Sequence, residues 1–469
     1  MKVEERLTGV NPDDFSQRCI EPSCGARYAV GERLYVCPRC GDLLDVVKQV
    51  EAVEDATALR GIWKARLSSH EARDRSGVWR YRELLPFADD APAVTLCEGN
   101  TPLYEAPRAA HYCGLERLRL KHQGLNPTGS FKDTGMTTAV TQALNVGART
   151  VVCASTGNTA ASLAAYAARA ELQCAILVPR GQVSLPKLAQ SLDYGAKVLE
   201  IEGNFDDAMR VIRELAEDES IYLVNSINPF RIEGQKTVAV EVMEQCEWRV
   251  PEHVVVPGGN LGNSAALSKG FTELFDLKLI ERLPRLSVVQ AEGAAPFTRL
   301  FAGRQPAWPP AEQLSRDALT PVQSPQTLAT AIKIGAPVSW KKSLRAVAAS
   351  GGWVLSVSEQ EIADAKAIIG RDGVGCEPAS ATSVAGIKRL VSDGRIDPGE
   401  SVVAVLTGHI LKDADYAINY HRETLYMPTS APQKTKEERR IAGTYSNPPA
   451  RVEATKSAIL ERLKCEGEH

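Results

Sequence analysis

A chain of 469 residues, 44% of them hydrophobic, can bury an ample core, and its length suggests roughly three structural units. Its 55 basic and 58 acidic residues are well mixed and leave a formal net charge of −3, so no basic stripe advertises nucleic acid or anionic lipid, and a small polar ligand is the expected partner. The opening MKVEERLTGVNPDDF has no apolar core of signal-peptide length, no apolar run approaches the ~20 residues that cross a bilayer, and eleven scattered cysteines read as reduced thiols, which together predict a cytoplasmic protein.

The first predicted unit, residues 1–50, is a zinc ribbon. Cys19 and Cys24 bracket IEPS, and Cys37 and Cys40 stand in CPRCG. Glycine follows Cys24 and Cys40, permitting the tight turns that aim two thiolates at one ion. Four thiolates would close a tetrahedral zinc shell with no position left for water, the pattern of a structural site. The flanks lack the basic and aromatic clustering of a ribbon that reads nucleic acid. A charged connector follows over residues 51–95. Its Trp63, Trp79, Tyr81, Leu84 and Leu85 predict an arm packed on a larger body rather than a free linker.

Over residues 96–420 short apolar runs alternate with helical patterns: RTVVCAS, LQCAILVP, AKVLEIEG and IYLVNS form one series, and EHVVVPGG, LSVVQAEG, WVLSVS and SVVAVLTG a second. Continuous apolar runs of this length suit strands buried on both faces, so the body is predicted to be α/β, two doubly wound domains with the ligand in the cleft outside the strands' C-terminal ends. The polar motifs lie there. Lys132 stands in NPTGSFKDTG at an apparent helix start; Asn158 follows a strand in ASTGN; PGGNLGNSAA, with Gly258, Gly259 and Gly262, makes a nest suited to a phosphate ahead of a helix from about Ser264; and a strand ends in Thr407-Gly408. None is a Walker loop or a GxGxxG fingerprint. The tail, residues 421–469, ends in VEATKSAILERLK, where Val452, Ile459, Leu460 and Leu463 predict a docking helix.

Taken in order, EGNTPL (98–103), GLNPTGSFKDTGM (124–136), ASTGNTAASLAAYAA (154–168), NSINPFRIEGQKT (225–237), PGGNLGN (257–263), TLATAIKIG (327–335), EPASATSVAG (377–386) and LTGHILKD (406–413) resemble the fold-type II family of pyridoxal-phosphate enzymes and, within it, the threonine synthases. The resemblance spans about residues 15–415, the cysteine knuckles included. It implies a tryptophan synthase β-like body with pyridoxal 5'-phosphate joined to Lys132, which then moves protons as a free amine. It implies Asn158 on the ring hydroxyl oxygen, Thr407 on the ring nitrogen, and the amides of Gly259, Asn260, Leu261, Gly262 and Asn263 on the cofactor phosphate. The implied reaction turns O-phospho-L-homoserine and water into L-threonine and phosphate by γ-elimination and addition of water at Cβ.

Arg231 in NSINPFR would supply a bidentate fork for the substrate phosphate, with Asn225, Ser226 and Thr159 as further donors, and Ser155 with neighbouring amides would take the carboxylate. The bland alternative for Arg231 is an ion pair with Glu233 or Glu241. His409 either assists the chemistry or frames the pocket. Two residues depart from the family pattern: Cys97 precedes EGNTPL, and Ile410 follows His409, where relatives favour glycine. A cysteate synthase would share the phosphate-reading residues, so the motifs leave it open, as they leave a homodimer. A catalytically silent binding protein is opposed by the intact Lys132, Asn158, GGNLGN and Thr407.

Overall fold

The computed structural model describes residues 11–48, 56–180, 185–301, 318–427 and 439–464. Near the N-terminus, β1 (Phe15–Cys19), β2 (Arg27–Ala29) and β3 (Leu44–Lys48) form an antiparallel sheet ordered β2-β1-β3. Gly25 and Gly41, the residues after Cys24 and Cys40, have φ of +57° and +72°, a conformation that glycine takes without strain. Those two turns fold the knuckles back on each other.

The body is built from β4 (Leu103–Glu105), β5 (Leu118–His122), β6 (Thr150–Ala154), β7 (Gln173–Pro179), β8 (Lys197–Ile201), β9 (Ile221–Leu223), β10 (His253–Pro257), β11 (Arg285–Ala291), β12 (Val354–Val357) and β13 (Val402–Leu406). The smaller sheet, β8-β7-β6-β9, is wholly parallel. The larger runs β12-β11-β10-β13-β5-β4 and is parallel except for β4 against β5. Helices fill the crossovers, as parallel strands require. Two successive series of strands were expected; instead β5 lies beside β13, so the chain begins in the larger sheet, leaves to build the smaller one and returns. The β5 sequence LRLKH hides this, because its Lys121 is polar yet fully buried, its ammonium 2.5 Å from Glu241 and 2.6 Å from the Thr101 carbonyl. Edge strand β8 also departs from the expectation of two buried faces, since its side chains are exposed or half-buried.

The described part of the arm packs as predicted: Trp63, Trp79, Tyr81, Leu84 and Leu85 are buried. Trp63 donates to Glu83 at 2.9 Å and stacks edge-on to Tyr81, and Arg80 reaches Glu244 of the body at 2.7 Å. The tail requires a correction. A helix forms at Lys456–Lys464, but Val452, Ile459, Leu460 and Leu463 are 45–63% exposed, so among the described residues no surface covers its apolar stripe. The docked part lies earlier, where Leu425 and Ile441 are buried with Tyr416 and Tyr420, and Tyr445 meets Tyr112 edge-on. Among the described residues no helix is long and apolar enough to cross a membrane.

Candidate active site

Lys132 is placed by the meeting of two distant segments. Phe131 donates its backbone N–H to the Thr407 carbonyl at 2.9 Å, and Ser130 bridges to Gly408, so the Lys132–Asn145 helix starts against the C-terminal end of β13. The half-buried Lys132 ammonium position lies 3.9 Å from the centre of the Phe131 ring. Burial pushes its pKa down to about 7, with Arg231 acting in the same direction and Glu377 opposing. Near neutral pH a large fraction is therefore free amine, the form that attacks carbonyls and accepts protons.

Arg231 reaches the same place because two helices touch through glycine. The Phe230–Gln235 helix crosses the Lys132–Asn145 helix so closely that a Cβ on Gly234 would lie 1.8 Å from the Thr134 carbonyl oxygen, and one on Gly135 would lie 2.6 Å from that of Arg231. Arg231 is 4% exposed, its Nε has no hydrogen-bond partner, and among the described residues no carboxylate lies within ion-pair distance of it. The alternative ion pairs do not form: Glu233 binds Lys236 and Lys269, and Glu241 binds Lys121. An arginine buried without a counter-charge is costly, and an anionic ligand would relieve that cost.

The glycine nest lies after β10. Leu261 adopts φ +64°, and the helix beyond it, Gly262–Asp276, starts two residues earlier than expected, with no side-chain cap on its first turn. Its leading amides are thus not taken by a capping side chain, as an anion site at a helix N-terminus needs. A Cβ on Gly259 would approach Ile332 to 3.2 Å, and one on Gly258 would come within 2.6 Å of Val288, so the loop presents backbone where side chains do not fit. Asn260 is braced on both sides of its amide, by the Ser226 hydroxyl and by the Val338 N–H at 2.6 Å. Asn263 donates to Gln123 at 3.3 Å, leaving the buried Asn263 Oδ1 and Gln123 Nε2 without partners.

At the end of β13, close enough to Lys132 to feel its charge, sits a carboxyl group that sequence reasoning missed. Glu377 is 2% exposed; its Oε2 accepts from Asn158 Nδ2 at 3.0 Å and its Oε1 lies 3.2 Å from the Thr407 hydroxyl, which is also 3.1 Å from Ser380. Burial raises its pKa, while the hydrogen bond from Asn158 works against the rise. EPASATSVAG was legible as a motif, but the function of its acid shows only when residues far apart in sequence meet.

The other expected site residues divide. Ser155 accepts from the Gly157 amide at 3.2 Å and, with Thr159, is half-buried at the start of the Asn158–Arg169 helix. Asn225 instead trades two hydrogen bonds of 3.1 Å with the backbone of Ala154 and lies 3.4 Å from the Met209 sulfur, so its amide holds the end of β6. Ser226 is taken by Asn260. His409 caps its own turn, accepting from the Leu411 amide at 3.2 Å, which is a framing role. Both departures from the family pattern are accommodated: Cys97 holds φ +59°, the conformation that makes glycine common there, and Ile410 uses space left by Gly375, where a Cβ would meet it at 2.9 Å.

In the ribbon, the Cys19, Cys24, Cys37 and Cys40 sulfurs all lie within 4.8 Å of one another, with Cys19 and Cys40 3.4 Å apart. A tetrahedral zinc with sulfur at about 2.3 Å needs sulfurs about 3.8 Å apart, so the donor set fits that ion.

Residues 94–408 match the family model described as pyridoxal-phosphate dependent enzyme. The threonine synthase of Methanocaldococcus jannaschii is 46% identical over 411 residues, covering 87% of this chain and 96% of that one. The threonine synthase of Mycobacterium tuberculosis is 47% identical over 340 residues, covering 72% and 89%. Among solved structures, the processed threonine deaminase isoform 2 from Solanum lycopersicum superposes with a TM-score of 0.56 at 19% identity, over 77% of this chain and 93% of that one. A pyridoxal 5'-phosphate-dependent aspartate racemase gives 0.52 at 22% identity, over 66% and 90%. These structural likenesses concern the fold alone.

Proposed function

The chain belongs to the pyridoxal-phosphate-dependent enzymes and, within them, to the threonine synthases, and on that premise we propose how its own residues carry the reaction. The observation that bears most weight is Arg231, a buried guanidinium in the neighbourhood of Lys132 that has no counter-ion among the described residues. A substrate that brings its own phosphate supplies that missing charge, which favours O-phospho-L-homoserine. The uncapped nest at residues 258–263 would take the cofactor phosphate, Lys132 would hold the cofactor covalently, and Asn158 and Thr407 would address its ring. The orphaned Asn263 Oδ1 and Gln123 Nε2 fit a cleft that a polar group completes.

When bound, pyridoxal phosphate supplies an electron sink that eases loss of protons from substrate carbons. Lys132, a substantial fraction of it uncharged near neutral pH, accepts the Cα proton and serves the later transfers from one position. Arg231 grips the γ-phosphate and stabilises the charge that gathers as it leaves. Ser155 and the first-turn amides near Thr159 orient the carboxylate. Glu377 fixes the Asn158 and Thr407 side chains that it touches. Water then completes L-threonine, and phosphate departs. The four ribbon thiolates would hold one zinc in a structural role.

The test is Arg231→Lys, which keeps the charge and loses the fork. Losing a charge-assisted contact of roughly 1.5 to 3 kcal/mol should lower kcat/KM for O-phospho-L-homoserine by about one to two orders of magnitude, with cofactor absorbance unchanged. A variant that loses pyridoxal phosphate instead, or turns over the substrate as wild type does, removes Arg231 from this role. Parallel assay with phosphoserine and sulfite decides against or for a cysteate synthase.

A further inference from the structure

The ribbon touches the body at a point that leads straight to the nest. Lys341, the second residue of the Trp340–Ser350 helix, is 6% exposed and reaches two ribbon carboxylates, Asp42 at 2.7 Å and Glu21 at 3.0 Å. Both acids belong to the knuckles. The Glu21 carbonyl accepts from the Cys24 and Gly25 amides, and the Asp42 carbonyl accepts from the Cys37 amide at 2.7 Å. The neighbouring Lys342 donates to the Leu44 carbonyl at 2.8 Å and lies 3.2 Å from Asp45. The head of this helix is therefore pinned to the turns that gather the four thiols.

The same head braces the nest from its other side. Val338 donates to Asn260 Oδ1 at 2.6 Å and Ser339 donates to the Asn260 carbonyl at 3.2 Å, while Ser343 and Ser264 share a hydrogen bond of 2.8 Å between the two helices. Asn260 is thus positioned from residues 338 and 339, and those precede the lysine that the ribbon holds.

We infer that the ribbon positions the phosphate nest, through Glu21 and Asp42 on Lys341 and through Val338 and Ser339 on Asn260, and so sets how tightly the nest holds a phosphate-bearing cofactor. Lys341 is a positioning residue here, acting through its neighbours. The inference rests on the nest being the cofactor-phosphate site.

The experiment measures the dissociation constant of pyridoxal phosphate by absorbance titration of the full-length cofactor-free chain. Lys341→Ala should weaken binding by about tenfold. Lys341→Arg, which keeps the cation, should recover most of the loss. In an Asn260→Ala background, which removes the Val338 contact and leaves Ser339 on the backbone carbonyl, Lys341→Ala should weaken binding by less than it does in wild type; a general loss of stability would not show that coupling. Asp42→Asn provides a gentler break should Lys341→Ala fold poorly, and it should weaken binding in the same direction. Lys341→Ala and Asp42→Asn proteins that bind as wild type does, or effects of Lys341→Ala and Asn260→Ala that simply multiply, would overturn the inference. A wild-type chain that takes up no pyridoxal phosphate would instead overturn the reading of the nest, and this inference with it.

Discussion

Lys132 and its charged neighbours make a measurable claim about proton affinity. The ordinary lysine value is 10.5; burial and then Arg231 bring Lys132 down to about 7, while Glu377 pulls it up. Below that value the side chain is an ammonium, and above it a free amine, so labelling of Lys132 in cofactor-free protein should rise through a midpoint near pH 7. Arg231→Ala removes a repelling cation and should move the midpoint up, whereas Glu377→Gln removes an attracting anion and should move it down. Mass spectrometry of peptides labelled with an amine-reactive reagent across pH reads all three; a midpoint near 10 in wild type would sink the account. Lys132 and Arg231 were legible because each sits in a contiguous motif. Glu377 was not: its bond to Asn158 joins residues 219 apart in sequence, and only folding creates the pair. Asn225 shows the reverse, a residue of the right type in the right motif whose amide goes to the backbone of Ala154.

At the scale of elements, the site depends on how closely two helices approach. A Cβ on Gly234 would overlap backbone at Thr134, and backbone cannot swing aside as a flexible side chain can. Gly234→Ala should therefore push the Phe230–Gln235 helix away and carry Arg231 with it, at a cost of roughly 1 to 3 kcal/mol or more in stability. A clear fall in the thermal midpoint together with a lower kcat/KM is the expected result. Gly370→Ala is the control, since nothing lies within 4 Å of its added Cβ and it occupies a helix, where alanine is the better residue. If Gly234→Ala behaves like the control, the close approach does not matter to function. Apolar runs made most strands legible, and the glycine nest announced its turn. Strand β5 escaped because its buried Lys121 is neutralised by Glu241 from another element, which no local pattern records. The tail helix shows the limit of periodicity in the other direction: the stripe of Ile459, Leu460 and Leu463 forms a helix, yet amphipathic spacing does not specify a surface to cover it.

Across the whole molecule, the ribbon is a small body held to a large one by charge and by apolar contact, its Ile20 and Leu43 sharing a cluster with Val152 and Leu177. Its own buried side chains are few, among them Phe15, Val30, Leu44 and Val46, and Phe15, Val30 and Val46 share a cluster with the arm and with Phe230. So small a unit needs a staple, and four thiolates on one zinc would provide it. On the body side wait Lys269, Lys341 and Lys342, all partnered by ribbon groups: Lys269 lies 3.5 Å from Asp45 and donates to the Val46 carbonyl. If the ribbon loosens, Lys341 and Lys342 lose their counter-charges in a mostly buried setting while Lys269 keeps Glu233, and breaking such pairs from one side costs more than their formation gains. Purified protein that has met no chelator should therefore carry close to one zinc per chain, and stripping the metal should lower the thermal midpoint by several degrees. The loss should be larger at low salt than expected from the ribbon's apolar area alone, because the stranded charges repel. Metal analysis beside a melting curve with and without chelator checks this, and re-addition of zinc should restore the midpoint. Protein that contains no zinc as isolated, or that melts identically after stripping, would show that the cysteine cluster holds together without an ion.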